Sequence, residues 1–258
     1  MVSAISRPGA DRPVALVTGG SRRVGAAICR AFAGVGFDLL TTHHASAEDA
    51  DAVIHSLQSM GVAARTEALD LADIGAVETF AAHVRESLPR LDVLVHNAAT
   101  YDQTPLDSFD PAAALRQHTV NAIAPALLTA RLAPMLARSE IPGGGSVLAM
   151  CDIHALGRPR RSHLAYAMSK AALAEMVRTL ARELAPNIRV NGVAPGVVAF
   201  PDAGPESDPA LQERYLARVP LARAGTPEDA AEAVRWLALD ARYTTGQIIR
   251  IDGGRWLT

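Results

Sequence analysis

Short apolar runs rich in β-branched residues alternate with longer stretches of helical period along most of the chain. The strand-like runs are residues 14–17, 37–42, 62–69, 91–95, 146–149, 188–193 and 247–251. Between them apolar positions recur every three to four residues over 24–35, 48–59, 73–87, 112–138, 163–185 and 227–239, with a shorter helical piece at 211–218. Nearly continuous apolar strands separated by helices point to a parallel sheet, because parallel neighbours need long crossovers and those helices cover both faces. The pattern predicts an α/β fold: one Rossmann-type, doubly wound domain over 14–258 with a seven-stranded parallel sheet, after a flexible segment 1–13. Two stretches break the rhythm. Residues 142–145 (Pro-Gly-Gly-Gly) make a tight turn, and 195–209 is a Pro/Gly/Asp-rich loop of the length that binding elements and lids have. A substrate loop is expected at about 195–220, with 201–209 as a candidate lid.

Composition narrows the function. The 258 residues, 49% hydrophobic, suffice for one large core, and the net charge of −2 supplies no basic field for nucleic acid or an anionic membrane surface. No apolar run approaches the roughly 20 residues of a membrane span, and residues 1–13 lack the apolar core of a signal peptide. Cys29 and Cys151 have neither metal-site nor redox-motif spacing. They read as two reduced thiols in a cytoplasmic protein, with a disulfide as the alternative. No metal site is expected.

Lys170 is the only lysine among 25 Lys and Arg residues, and it follows Tyr166 by four positions. Residues four apart share a helix face, so phenol and ammonium can reach one point in space. A compact ammonium there favours phenolate and should draw the tyrosine pKa down from its ordinary value of about 10. After the first strand comes Thr18-Gly19-Gly20-Ser21-Arg22-Arg23-Val24-Gly25, opening the first helix. Such a turn offers backbone N–H groups and a helix N-terminus to a pyrophosphate. The second strand ends in 39–46 without a carboxylate, while Arg22, His44 and Ser46 supply donors suited to a 2′-phosphate, so NADP(H) is favoured over NAD(H). Asp70 and Leu71 follow the third strand, where adenine would lie; Asn97 and Ala98 follow the fourth, beside the ribose.

Together these residues resemble the short-chain dehydrogenase/reductase superfamily along essentially the whole chain. The glycine turn at Gly19, Asn97-Ala98, the mid-helix Asn121, Tyr166/Lys170, Pro195-Gly196 and Asp252-Gly253-Gly254 stand in the family's order. Two departures are shared with the pteridine reductases and the dihydromonapterin reductases of that superfamily. Arg23 replaces the turn's middle glycine, and Cys151-Asp152 stands where a catalytic serine is usual, one residue farther from the tyrosine than in pteridine reductases. Asn121-Ala-Ile-Ala-Pro125, His44-x-Ser46 and Asn97-Ala-Ala-Thr-Tyr101 agree with that branch too.

The resemblance implies NADPH-dependent reduction of a C=N bond in a pterin, dihydropterin or dihydrofolate. Tyr166, Lys170, Asp152 and Asn121 would be catalytic, with Asn121 supporting a water chain behind Lys170. Gly19, Arg22, Arg23, Val24, Gly25, His44, Ser46, Asp70, Leu71, Asn97, Ala98, Tyr166, Lys170, Pro195, Gly196 and Val198 would hold the cofactor, the contacts at 197–199 through backbone alone. Arg23, Tyr101, Asp152 and Tyr166 would meet the substrate, Tyr101 by stacking on a flat ring. Helices 112–138 and 163–185 would pair copies into a homotetramer or homodimer. The alternatives are a short-chain keto-reductase for another small substrate and a non-catalytic NADP-binding sensor.

Overall fold

The computed structural model describes residues 12–200 and 207–258, so the expectations for most of the N-terminal segment and for the lid at 201–206 fall outside the described residues. Seven parallel strands form one sheet in the order β3-β2-β1-β4-β5-β6-β7. They are β1 (Val14–Val17), β2 (Asp38–His43), β3 (Ala64–Ala68), β4 (Val93–His96), β5 (Gly145–Met150), β6 (Ile188–Pro195) and β7 (Ile248–Ile251). Strand order reverses between β1 and β4. The crossovers leaving these two strands run in opposite directions, and a crevice opens beyond their carboxyl ends.

Side-chain alternation along the strands divides the core in two. Leu16, Leu40, Leu94, Val147 and Val190 point into one layer, packing on α3 (Ile74–Ser87), α5 (Ala124–Leu136) and α6 (Leu164–Glu183). Ala15, Val17, Leu39, Val93, Val95 and Leu148 point the other way, against α1 (Arg23–Ala33), α2 (Ala47–Ser59) and α8 (Pro227–Leu239). Fully buried strands are apolar on both faces, which is why the sequence shows short continuous apolar runs and little alternation.

The helical stretch predicted at 112–138 is interrupted. It comprises α4 (Pro111–His118), a π-helical turn at Thr119–Ile123, and α5. Pro125 has no N–H to give, so the carbonyl four residues back, that of Asn121, loses its helical donor at this turn. By length and composition the run 111–136 could cross a membrane; here just over half of its apolar 18-residue window is buried, and the run packs against α3 and α6. The short helix predicted at 211–218 is α7, Pro209–Leu216, started earlier by Asp208, whose side chain accepts from Ala210 N–H.

At the opposite end of the sheet from the crevice, Arg189 of β6 sets α8 in place. Its guanidinium, on a residue only 6% exposed, donates to the carbonyls of Leu237 (2.7 Å), Ala238 (2.5 Å), Ala241 (3.1 Å) and Gly143 (3.1 Å). A cation here meets the negative end of the helix and satisfies carbonyls that have no intrahelical donor. Arg189→Met would remove these bonds, and among the described residues only the Ala241 carbonyl keeps a backbone donor, Thr244 N–H. It should lower unfolding stability by about 3 kcal/mol, read as a reduced urea midpoint at constant m-value. An unchanged midpoint would show the cap to be dispensable.

Candidate active site

The crevice is held in shape by a polar lock between the ends of β1 and β4. Thr18 Oγ1 donates to the Val95 carbonyl (3.4 Å) and accepts from the N–H groups of Asn97 (3.1 Å) and Ala98 (3.2 Å). Asn97 Nδ2 returns two bonds, to the carbonyls of Thr18 (3.1 Å) and Gly19 (2.9 Å). Gly19, at φ +65°, needs the left-handed region that glycine enters freely. A Cβ on Gly25 would lie 2.1 Å from the Gly19 carbonyl, so the first turn of α1 can close on the loop only with glycine there. The resulting cleft, about 1060 Å³, brings together Gly19, Arg22, Arg23, Val24, Gly25, His44, Ser46, Asp70, Leu71, Asn97 and Ala98; Tyr166, Lys170, Pro195, Gly196 and Val198 do not line it. No acidic residue occupies the first turn of α1, which suits a phosphate at its positive end.

Arg23 is in the left-handed region at φ +48°, a conformation costing a non-glycine residue about 1–2 kcal/mol. Its Nη2 reaches across to the Phe200 carbonyl (3.2 Å), so the side chain replacing the usual glycine joins the phosphate turn to the loop after β6. Arg22 Nε stands 3.6 Å from Asp49, and His44 Nε2 stands 3.6 Å from Asp70. Both pairs are well exposed and hence cheap to open for a phosphate. Asp49, on α2, also lines the cleft, beside Arg22. Sequence reasoning missed Arg30 and Arg116, which also line this cleft; their positions inside helices gave no local signal. Pro195 and Gly196 close the end of β6, Gly196 N–H donating to the Ile251 carbonyl (2.9 Å). Val198 turns its side chain into the core, which leaves its backbone as the group that could face a cofactor.

Tyr166 and Lys170 share the buried side of α6, 8% and 4% exposed. Asp152 follows β5 and joins them: Tyr166 Oη donates to Asp152 Oδ2 at 2.8 Å, while Asp152 Oδ1 accepts from His154 N–H at 2.6 Å. Lys170 Nζ lies 6.0 Å from the Tyr166 ring centre and donates to the Met150 carbonyl at 2.7 Å. This arrangement reverses the expected direction of the tyrosine pKa. Burial, and then the Asp152 carboxylate, push the phenol well above its usual value, and burial lowers that of Lys170. The phenol therefore keeps its proton at neutral pH and stands as a donor. Cys29 and Cys151 are separate buried thiols, pushed up by burial to about 12 and about 11.

Tyr101 is brought beside this cluster, its ring 4.7 Å from that of Tyr166, edge to face, and stacked at 4.7 Å on His163. One face is thus taken by a neighbour that the sequence did not reveal; the residue remains 41% exposed. The backbone on either side of it is held by amide side chains. Asn121 accepts from Thr100 N–H (2.9 Å) and donates to Thr100 O (2.9 Å), and Gln117 makes the same pair with Asp102 (3.3 Å each). Thr104 Oγ1 completes the frame by accepting from Ala165 N–H at the start of α6 (3.1 Å). Asn121 Nδ2 also donates to Ser169 Oγ (2.9 Å), so both of its N–H groups are taken.

Comparison with known proteins agrees with this geometry. The sequence model described as enoyl-(acyl carrier protein) reductase matches residues 19–255. An uncharacterized oxidoreductase of Mycobacterium tuberculosis is 35% identical, over 95% of this chain and 92% of its own. The 3-oxoacyl-(acyl-carrier-protein) reductase FabG of Staphylococcus aureus is 32% identical, over 94% and 98%. Among solved structures, a blue fluorescent protein from a metagenomic library, crystallised with NADPH, superimposes with a TM-score of 0.85 at 33% identity, covering 94% of this chain and 97% of its own.

The electrostatics yield a sign that can be measured. Asp152 raises the pKa of Tyr166, so Asp152→Ser must bring it down toward the ordinary value. If turnover needs the protonated phenol, the alkaline limb of the pH–rate profile moves to lower pH in the variant. A limb that stays in place would show that Tyr166 does not set it.

Proposed function

The chain belongs to the short-chain dehydrogenase/reductase superfamily, and on that premise we propose that it is an NADPH-dependent reductase of a C=N bond in a pterin or dihydropterin. The observation that supports this most is the 2.8 Å bond from Tyr166 to Asp152. A carbonyl becomes more negative at oxygen as it is reduced, and a carboxylate in place of the family's serine opposes that charge. A ring nitrogen that gains a proton, next to an N–H-rich pyrimidine edge, is instead attracted by it. When bound, NADPH supplies the hydride for the ring carbon. The protein's part is the proton and the orientation. Tyr166 Oη holds the proton nearest the reacting bond, Asp152 accepts N–H from the substrate or serves it through water, and Tyr101 sets the plane of the ring. Buried Lys170 places a positive charge behind the pair.

The fit of NADP(H) rests on the glycine cradle at Gly19 and Gly25, on Arg22, His44 and Ser46 at the cleft wall, and on the absence of a carboxylate from the end of β2. A keto-reductase is the second reading, favoured by the 3-oxoacyl substrate in the name of the staphylococcal relative. Leu115 and Ile123 on the 111–136 run, and Leu164 and Met168 on α6, expose large apolar side chains. They support the further proposal of a cytoplasmic homotetramer, or a homodimer, paired through these helices. Light scattering that gives the mass of a single 27.1 kDa chain would exclude it.

NADPH consumption with 7,8-dihydromonapterin, 7,8-dihydrobiopterin and 7,8-dihydrofolate, beside a panel of ketones, decides between the two substrates. Dihydropterin turnover is expected, with kcat/KM falling about 100-fold or more in Asp152→Ser. Turnover of ketones alone, unharmed or improved by that substitution, would overturn the C=N assignment.

A further inference from the structure

A second cavity, about 730 Å³, is walled by the segment 154–160, by α7 and by the turn at Arg255–Leu257. Four guanidinium residues line it, Arg158, Arg160, Arg218 and Arg255, and among the described residues no Asp or Glu does. Converging like charges repel at short range, most of all where water is excluded. Arg255 shows the strain most clearly. Only 6% exposed, it donates through Nη1 to Thr258 O (3.0 Å) and Oγ1 (3.2 Å), lies 5.3 Å over the Tyr215 ring, and has an Nε–H with no acceptor. Burial, with Arg158 and Arg218 close by, lowers its pKa. Arg158 is fixed in turn by its bond to the Arg255 carbonyl.

The cavity begins where the reaction centre ends. His154 lines it and gives its N–H to Asp152, and Arg160 Nη1 donates to Tyr101 Oη at 2.6 Å. A ligand seated against Tyr101 and Tyr166 therefore has the guanidinium cluster within reach of its remote end. We propose that this cavity is a subsite for an oxyanion, carboxylate or phosphate, carried by the substrate away from the bond that is reduced, so that the enzyme prefers acid-tailed substrates. The inference rests on Asp152, Tyr166 and Tyr101 being the reaction centre. Planar guanidinium forks match both anions in a bidentate manner, which is why the chemistry and not one ligand is assigned.

Trp256 lines the cavity beneath Arg250, 4.7 Å from its ring, and becomes the sole indole in Trp236→Phe. With NADP+ bound, so that the cofactor's own phosphate positions are filled, inorganic phosphate and glutarate are titrated separately at constant ionic strength. A saturable change in Trp256 fluorescence is expected with at least one anion. Arg218→Gln should weaken it about tenfold, the loss of one charge-assisted bond. Arg218 suits this test because among the described residues its hydrogen bonds are made by its main chain, the N–H to the Tyr215 carbonyl and the carbonyl from Thr258 Oγ1, which the substitution keeps. In turnover, the ratio of KM for acid-tailed 7,8-dihydrofolate to KM for neutral-tailed 7,8-dihydrobiopterin should rise by the same factor. No saturable signal, or equal affinity in Arg218→Gln, overturns the proposal. So does a variant that changes particle mass but not anion affinity, which would give the cavity to a second copy of the chain. Anion binding by a protein that reduces no dihydropterin would uphold the cavity and overturn the reaction proposed above.

Discussion

The hydroxyl of Thr18 and the amide of Asn97 fix the gap between the loops that leave β1 and β4. The two strands are parallel neighbours as far as Val17 and Val95, where Thr18 N–H still donates to the Val95 carbonyl, and beyond that point their crossovers diverge. Five side-chain hydrogen bonds hold the diverging loops in place. With that gap set, the first turn of α1 faces the cleft, and the loop after β4 delivers Tyr101 toward α6. The phosphate turn, the ribose position and the aromatic wall share one anchor. A buried polar network of this kind specifies geometry more than it adds stability, since its groups would be solvated in the unfolded chain.

The reaction centre has an unusual balance of charge. A buried lysine beside a tyrosine would by itself favour phenolate, yet Lys170 is tied to the Met150 carbonyl while Asp152 accepts the phenolic O–H directly. The nearer charge dominates, and in a dry site the difference between contact and several ångströms is large. The centre is thus set to keep a proton until a substrate nitrogen asks for it. The neighbouring cavity is lined by guanidinium groups and, among the described residues, by no carboxylate, so a ligand spanning the two would run from an acceptor-rich end to a donor-rich one.

Features that depend on neighbours in sequence were legible before any coordinates. The glycine turn, the strand-helix rhythm and Tyr166 with Lys170 on one helical face each follow from local geometry, and the structure places them accordingly. Asp152 was legible as a candidate because it stands at a marked position. The direction of the tyrosine pKa was not, because it turns on how deeply the fold buries the phenol and then on which charge touches it. His163 behind Tyr101 and the joining of Arg158 to Arg255, 97 positions apart, left no local trace either. The π-helical turn was hidden in a long helical period, although Pro125 marked the place where the ladder had to yield.

The amide pairs that Asn121 and Gln117 make go to the main chain of residues 100 and 102. They would persist whatever side chain stood between them. Position 101 is therefore a place where selection can exchange one ring for another, or for none, without loosening the frame. The four backbone atoms held by Asn121 and Gln117 thus separate the shape of this loop from the identity of the ring it presents.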